Sequence, residues 1–230
     1  MFEVGPAGEE GLRLVFLEAP HPALTRCLLR IQSEAEGYFG ENLADSVVGY
    51  TTLTLLFHPF RLERDRAEAW LTAQADCPAL VDPDDDSLTG TLVTLPVLYH
   101  PSVAPDLEWL ADQKDISVDQ IIALHAGTTY FAYATGFAPG FCYLGDLPAE
   151  LATPRLANPR KAVPAGAVGL ADRQTAVYPG ISPGGWRLIG SCPRPLFQSG
   201  DHPTACLAVG NSVRFEPITT QEYRNFGGEL

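Results

Sequence analysis

One histidine in the second half of this 230-residue chain is well placed for proton chemistry. His125 ends a helical pattern in the run Leu124-His125-Ala126-Gly127, and the segment after it leads into an aromatic, glycine-rich cluster. Because an imidazole titrates near neutral pH, this position predicts a proton carrier or donor. A structural role is the alternative, since the dipole at a helix C-terminus favours a cationic imidazole.

Two arginines lie in the proline-flanked run TPRLANPRKAVPAG, as Arg155 and Arg160. The prolines stiffen the backbone and limit the entropy that is lost when a side chain is held in place. A guanidinium presents a planar pair of donors, which suits a carboxylate or a phosphate. The run therefore predicts an anion-binding loop, and the alternative is a surface loop with solvated charges.

Two glycine-bounded aromatic clusters stand on either side of these arginines. The first is GFAPGF followed by Cys142 and Tyr143, and the second runs from YPG to SPGGW. So much irregular backbone is costly to order and is usually retained where it lines a site. We interpret the clusters as facing walls of one pocket, whose predicted substrate-binding residues are Phe137, Pro139, Gly140, Phe141, Tyr143, Tyr178, Gly184, Gly185 and Trp186.

A neutral amide and a glycine pair complete the candidate pocket. Gln174 lies between two glycine-rich turns and offers both a donor and an acceptor, as an amide-containing ligand needs. Gly184 and Gly185 can expose adjacent backbone N–H groups as an anion-binding nest. The same glycine pair before Trp186 is also typical of an ordinary tight turn that precedes a strand.

The net charge of the chain indicates which kinds of partner it can bind. Fifteen basic and 28 acidic residues give a formal net charge of −13, which argues against nucleic acid or an anionic membrane as the main partner. A small anionic ligand fits the few basic residues of the central stretch. The sequence contains neither a G-x-x-x-x-G-K-[ST] phosphate loop nor a G-x-G-x-x-G run. If ATP is involved, we therefore expect it to be bound through another kind of site or by a partner.

The N-terminal sequence MFEVGPAGEEG lacks the basic start and apolar core of a signal peptide, so we expect a cytoplasmic protein. The five cysteines are scattered and never form a C-x-x-C pair. This pattern favours neither a disulfide framework nor a zinc site, and we expect reduced thiols packed as small apolar side chains.

Alternating and helical patterns in the first half predict an N-terminal α/β sandwich. Leu12, Leu14 and Phe16 alternate onto one strand face, and a helical pattern of apolar residues begins at Pro22. The predicted elements are a strand at 11–17, a helix from 22, a strand at 47–57, a helix at 61–75 and a strand at 88–98. This order favours an α+β sandwich of the ferredoxin-like kind, over residues 1–85.

An acidic turn at 81–86, VDPDDD, is interpreted as an interdomain linker that begins a second domain over residues 86–230. There a short helix is predicted at 105–114, and Ser117 with Gln120 forms a capping box for a helix that ends at Gly127. Many short strands between glycine and proline turns favour a barrel or a sandwich. The candidates are 128–134, 167–170, 175–178, 187–189, 205–208 and 212–215.

Four ordered blocks carry a resemblance to a known family: GFAPGFCYLG, LATPRLANPRKAVPAG, QTAVYP and SPGGWRLIG. In this order and spacing they resemble the allophanate hydrolase subunit 1 family, most strongly from about residue 95 to 218. The resemblance implies an N-terminal ferredoxin-like domain and a C-terminal cyclophilin-like β-barrel. It also implies a hetero-oligomeric partner, the family's second subunit, which has a related barrel.

The family's 5-oxoprolinase members act with that partner and a third subunit to open the lactam of 5-oxoproline to glutamate. They use ATP, which Mg²⁺ would accompany. The resemblance therefore implies one subunit of an ATP-dependent lactam hydrolase that is inactive, or nearly so, alone. In this interpretation Arg160 binds a carboxylate or phosphoryl group, Gln174 binds the lactam, His125 moves a proton, and Phe141, Tyr178 and Trp186 exclude water.

Two stretches depart from the family pattern. Residues 99–107 replace a glycine-rich turn and contain two prolines, and residues 171–176 replace another glycine-rich run and add Asp172 beside the anion site. The ligand can therefore differ from 5-oxoproline. Two other functions found in the family stay open: a Kip-type regulator that inhibits a sensor histidine kinase, and an allophanate- or urea-type carboxyltransferase subunit.

Overall fold

The computed structural model describes residues 1–75, 90–201 and 203–230 of the chain. The chain divides into two compact units, residues 1–89 and residues 90–230. The acidic turn at 81–86, which the sequence predicts as a linker, lies outside the described residues.

The first unit contains a four-stranded antiparallel sheet in the order β1-β2-β4-β3. Its strands are β1 (Phe2–Pro6), β2 (Gly11–Phe16), β3 (Leu43–Val48) and β4 (Thr52–Phe57). The predicted alternation of β2 is confirmed, because Leu12, Leu14 and Phe16 are all buried. Alternate residues of β4 are buried as well, so one face of the sheet carries the core of this unit.

Within residues 1–75, two α-helices accompany this sheet, α1 (Pro22–Phe39) and α2 (Arg64–Gln74). The Nδ1 atom of His21 accepts a hydrogen bond from the Ala23 N–H at 3.2 Å and caps α1. The apolar residues that recur at three- and four-residue steps in α1 are buried as predicted, with Tyr38 as the half-exposed exception. The described helices of the chain include none that is both long and apolar enough to cross a bilayer.

Three expectations for the first unit need correction. The stretch 47–57 is not one strand, because the chain turns between β3 and β4, where the Gly49 N–H donates to the Thr52 carbonyl at 2.7 Å. The strand predicted at 88–98 appears as Leu92–Val97 and pairs in the second unit. The described part of the first unit, residues 1–75, has the order ββαββα, and the ferredoxin-like assignment stays a prediction. Cys27 is disulfide-bonded, whereas Cys142, Cys192 and Cys206 are free thiols.

The second unit is a nearly closed barrel. Its main sheet has seven strands in the order β12-β9-β10-β7-β6-β15-β5, and a bridge between Leu98 and Ser191 joins the two edges of the sheet. The strands are β5 (Leu92–Val97), β6 (Thr129–Thr135), β7 (Cys142–Gly145), β9 (Ala167–Ala171), β10 (Gln174–Val177), β12 (Arg187–Ser191) and β15 (Ser212–Pro217). Two shorter pairs lie outside this sheet: β8 (Arg160–Val163) with β11 (Ser182–Gly184), and β13 (Phe197–Gln198) with β14 (Thr204–Ala205).

Three helices belong to the second unit: α3 (Leu107–Lys114), α4 (Val118–Gly127) and α5 (Thr220–Asn225). The predicted capping box of α4 is confirmed. The Gln120 N–H donates to Ser117 Oγ at 3.2 Å, and the Ser117 N–H donates to Gln120 Oε1 at 2.8 Å. Two donors at the helix start are thereby satisfied, and α4 begins where the sequence predicts.

The glycine- and proline-rich centre contains more strands than the sequence predicts. β7, β8, β11 and β13 were not predicted, because each is four residues or fewer and shows too little alternation. The candidate at 205–208 is reduced to the end of β14. The extra pair of β8 and β11 places Arg160 opposite Gly184, two residues of the predicted site.

Candidate functional site

The two aromatic clusters meet in the second unit, but they pack against each other instead of facing across an open pocket. The Phe141 ring lies 5.4 Å from Tyr178 and 5.8 Å from Trp186 between centroids, in edge-to-face geometry. All three side chains are at most 5% exposed. Phe137 and Tyr143 contact Phe141 at 5.2 and 4.9 Å and form the accessible edge of the cluster.

Backbone conformation shapes the accessible edge. Phe137 has φ +70°, a left-handed conformation that is strained for a bulky residue, and the residue is 60% exposed. Gly140 also has a positive φ, and a side chain there would collide with Phe197. Between them, Pro139 is exposed. The loop therefore presents the Phe137 ring at the mouth of the aromatic cluster.

Hydrogen bonds to Asp106 and to the Trp186 carbonyl fix the position of the Arg160 side chain. Its Nη2 donates to both carboxylate oxygens of Asp106 at 2.9 Å, and its Nη1 donates to the Trp186 carbonyl at 3.2 Å. The Asp106 side chain is only 8% exposed, whereas that of Arg160 remains 27% exposed. The guanidinium is therefore fixed in place and still reaches solvent.

Asp106 links several parts of the second unit. It accepts a hydrogen bond from the Leu188 N–H at 2.6 Å, and its own N–H donates to the Leu188 carbonyl at 3.0 Å. A second arginine, Arg187, has its Nη1 3.9 Å from Asp106 Oδ1, and its guanidinium carbon lies 3.5 Å from the centroid of the Trp109 ring. One buried carboxylate thus faces two guanidinium groups.

Arg160 lines a cavity of about 830 Å³. Arg160, Tyr178 and Leu188 form one part of its wall, and the segment around Cys192 to Leu196 forms another, which contributes Arg194. Alanine and proline side chains supply much of the remaining lining. A mostly apolar cavity of this size with a few convergent polar groups is typical of a small-molecule site.

His125 lies in the barrel core and not at the cavity. It is fully buried, its Nδ1 lies 2.7 Å from Tyr99 Oη, and its Nε2 lies 3.0 Å from Thr175 Oγ1. Its ring stacks on Phe215 with 4.4 Å between centroids. Burial lowers the pKa of His125 to about 3, so the imidazole is neutral at pH 7. The ring is therefore not the dipole-stabilised cation of the structural alternative, and the role of His125 as a proton carrier stays a prediction.

The remaining predicted residues lie at the edges of the cluster. Arg155 is exposed, with its Nε 3.6 Å from Asp172 Oδ2 and its guanidinium carbon 6.0 Å from the Trp186 ring centroid. Gln174 begins β10 opposite Ala171 and is half-buried. Gly184 packs directly against the Tyr178 ring, so it fills a packing role that the sequence does not reveal.

Sequence reasoning missed Asp106 and Arg187 as candidate functional residues. Asp106 stands at the start of α3 within 99–107, one of the stretches that depart from the family pattern. An acidic residue at a helix start is ordinarily read as a capping or dipole contact, which hides its pairing with an arginine 54 positions away. In the part of the chain that the structure describes, no three His, Cys, Asp or Glu residues are grouped to hold a metal ion.

The chain matches the family described as "Carboxyltransferase domain, subdomain C and D" over residues 2–207. It belongs to this family. The resemblance seen in the four sequence blocks is thereby confirmed.

Curated relatives of this chain include the B subunit of 5-oxoprolinase from two bacteria. The Bacillus subtilis protein is 39% identical over 146 residues, which is 64% of this chain and 61% of that protein. The Escherichia coli O157:H7 protein is 37% identical over 177 residues, which is 76% of this chain and 78% of that protein.

Solved structures share the fold. The crystal structure of TTHA0988 superposes with a TM-score of 0.76 at 31% identity, covering 91% of this chain but 40% of that chain. Protein PH0987 from Pyrococcus horikoshii gives a TM-score of 0.56 at 32% identity and is covered over its whole length. Kluyveromyces lactis urea carboxylase, at 15% identity and a TM-score of 0.72, shows the fold alone.

Proposed function

We propose that this chain is the B subunit of an ATP-dependent 5-oxoprolinase, which opens the lactam of 5-oxoproline to glutamate. The proposed complex contains a second cyclophilin-like subunit and a third subunit, and it acts in the cytoplasm. Support comes from the curated relatives that carry the name of the 5-oxoprolinase B subunit, which are 37–41% identical to this chain.

The observation that carries the proposal is the position of Arg160. Its guanidinium is held by Asp106 and by the Trp186 carbonyl at the wall of the cavity, next to Tyr178. A pre-oriented guanidinium binds a carboxylate with little further loss of side-chain entropy. In this proposal Arg160 binds the substrate carboxylate, and the buried aromatic cluster keeps water from that side of the lactam.

In this proposal ATP is bound by the complex, and which of its subunits holds the nucleotide stays open. When bound there, it supplies the phosphoryl group that makes the lactam carbonyl more electrophilic. The described residues bring together no group of three metal ligands that would fit a Mg²⁺ ion, and the sequence lacks a phosphate loop.

The test is co-expression with candidate partner subunits, followed by an assay for ADP release that depends on added 5-oxoproline. Arg160→Ala should lower this turnover about 100-fold or more, because the substrate carboxylate loses its charged partner. Arg160→Lys keeps the charge without the planar fork and should retain intermediate activity. Lys161→Ala, at the exposed neighbouring position, is the matched control and should leave turnover unchanged.

Each outcome has a definite meaning. Release of ADP that requires this chain, its partners and 5-oxoproline supports the proposal. A stable complex without such release shows that the substrate is not 5-oxoproline, and full turnover by folded Arg160→Ala removes Arg160 from the site. Failure to form any complex favours the alternative of a kinase regulator.

A further inference from the structure

Two arginines share a single buried carboxylate, and one of them, Arg160, lines the cavity. Asp106 is bound by Arg160 at 2.9 Å and approached by Arg187 at 3.9 Å. Among residues 1–75, 90–201 and 203–230, the ion pairs of both arginines go to this one carboxylate. The three groups together therefore carry one net positive charge.

The second positive charge is largely shielded from solvent. The side chain of Arg187 is 16% exposed, and its guanidinium lies over the face of Trp109. Within the described part of the chain, its buried Nε has no hydrogen-bond partner. A cation over an aromatic face is stabilised, but the ring does not cancel its field. Because buried charges are screened weakly by salt and water, this charge acts on nearby groups.

We infer that Asp106, Arg160 and Arg187 form a built anion-binding unit in which only Arg160 touches the ligand. Asp106 is the positioning residue that fixes the Arg160 guanidinium at the cavity. Arg187 offsets the charge of Asp106, so that Arg160 presents an uncompensated positive charge to the ligand. Without Arg187, the carboxylate would neutralise Arg160 and the site would lose its attraction for anions.

The ligand class that fits is a small anion with a carboxylate or phosphate group on an uncharged body. The guanidinium suits either group. The alanine and proline side chains that supply much of the lining suit an uncharged body, and the charged residues Arg194 and Glu229 also line the cavity. This inference rests on the proposed function only for the choice of 5-oxoproline as the carboxylate probe. The direct test needs neither partner subunits nor ATP.

The experiment is calorimetric titration of the full chain with 5-oxoproline and, separately, with inorganic phosphate at low ionic strength. The wild-type chain should bind at least one probe with one-to-one stoichiometry, and the stronger probe identifies the anionic group. Arg187→Met should weaken that binding about tenfold, as expected for one removed charge at a weakly screened site. Arg187→Lys keeps the charge and should restore affinity to within about twofold.

Two controls separate this electrostatic role from a structural one. Lys161→Met removes the same unit of charge from an exposed neighbouring position and should leave binding unchanged, so a general charge effect is excluded. Trp109→Leu removes the ring beneath Arg187 without changing charge. It should lower the unfolding temperature and leave anion affinity within about twofold, because the second cation is still present.

The inference is overturned if neither probe binds the folded wild-type chain. It is also overturned if Arg187→Met binds as tightly as wild type, or if Lys161→Met weakens binding as much as Arg187→Met does. Failure of the complex to turn over 5-oxoproline, with Arg187-dependent binding of either anion retained, would remove the proposed function and leave the anion site intact. Turnover of 5-oxoproline by the complex, together with anion binding that does not depend on Arg187, would overturn this inference and leave the proposed function intact.

Discussion

The adjacent glycines Gly184 and Gly185 have different neighbours. A methyl group at Gly184 would fall on the Tyr178 hydroxyl and within 2.9 Å of two atoms of its ring, whereas one at Gly185 would meet nothing closer than 3.6 Å. Gly184→Ala should therefore displace Tyr178 and destabilise the protein by about 1–3 kcal/mol. Urea unfolding measures this change.

Gly185→Ala is the matched control, because it adds the same methyl group one residue away. Its unfolding free energy should stay within about 0.5 kcal/mol of wild type. Equal losses in the two variants would show that the glycine pair is needed for its backbone conformation and not for the approach to Tyr178.

His125 gives the folded state a defined dependence on pH. Its folded pKa is about 3, below the ordinary value near 6.5, because burial penalises the charged ring. Below about pH 6.5 the unfolded chain therefore binds a proton that the folded chain excludes. This contribution is fully present above pH 6.5, and the unfolding free energy falls as the pH is lowered towards 3, by up to about 1.4 kcal/mol per pH unit.

His125→Gln isolates this contribution, since glutamine does not titrate. The variant should be less stable at pH 7, because the contacts to Tyr99 and Thr175 are altered. Its unfolding free energy should nevertheless fall less steeply than that of wild type between pH 6.5 and pH 4. If urea titrations gave parallel plots of unfolding free energy against pH for the two proteins, His125 would have the same pKa in the folded and the unfolded chain.

Helix α4 contacts two other segments of the second unit through a side chain near its end. Its capping box fixes its start, and His125 near its end contacts Tyr99 and Thr175 in two other segments of the second unit. Ser117→Ala should remove the side-chain acceptor at the N-cap and cost about 1 kcal/mol of unfolding free energy.

The control for the cap is Ser199→Ala, which makes the same change at an exposed serine outside any helix. Thermal and urea unfolding of the two variants should differ by the value of the cap alone. If both substitutions are neutral, the two hydrogen bonds of the box do not limit the stability of α4.

Strand β5 and the residue after it connect the two edges of the barrel sheet. β5 pairs in parallel with β15, and the residue after it, Leu98, bridges to Ser191 and joins the sheet edges. A fragment of residues 90–230 should therefore fold by itself, with a cooperative unfolding transition. A fragment of residues 99–230 should not, because it lacks the edge strand β5 and Leu98, which bridges to the other edge, and it leaves backbone groups of β15 unpaired.

Circular dichroism and amide exchange of both fragments measure this difference. A folded 99–230 fragment would show that the barrel does not depend on β5. An unfolded 90–230 fragment would show that the second unit needs residues 1–89, contrary to the domain boundary that the sequence predicts near residue 85.

The sequence by itself determined the elements whose signals are local. Alternation in β2, helical periodicity in α1 and the capping box of α4 depend on residues a few positions apart, and they appear where predicted. The four ordered blocks determined the family in the same way, because their motifs are contiguous.

Only the tertiary structure decided which of the candidate residues act together. Arg160 and Asp106 are 54 positions apart, and the strand at 92–97 reaches its partner β15 across more than 100 residues. His125 has the same sequence motif whether it lies in a pocket or in a core, and only the folded barrel shows that it is fully buried. Contacts of this kind arise from packing the whole barrel, so no local pattern encodes them.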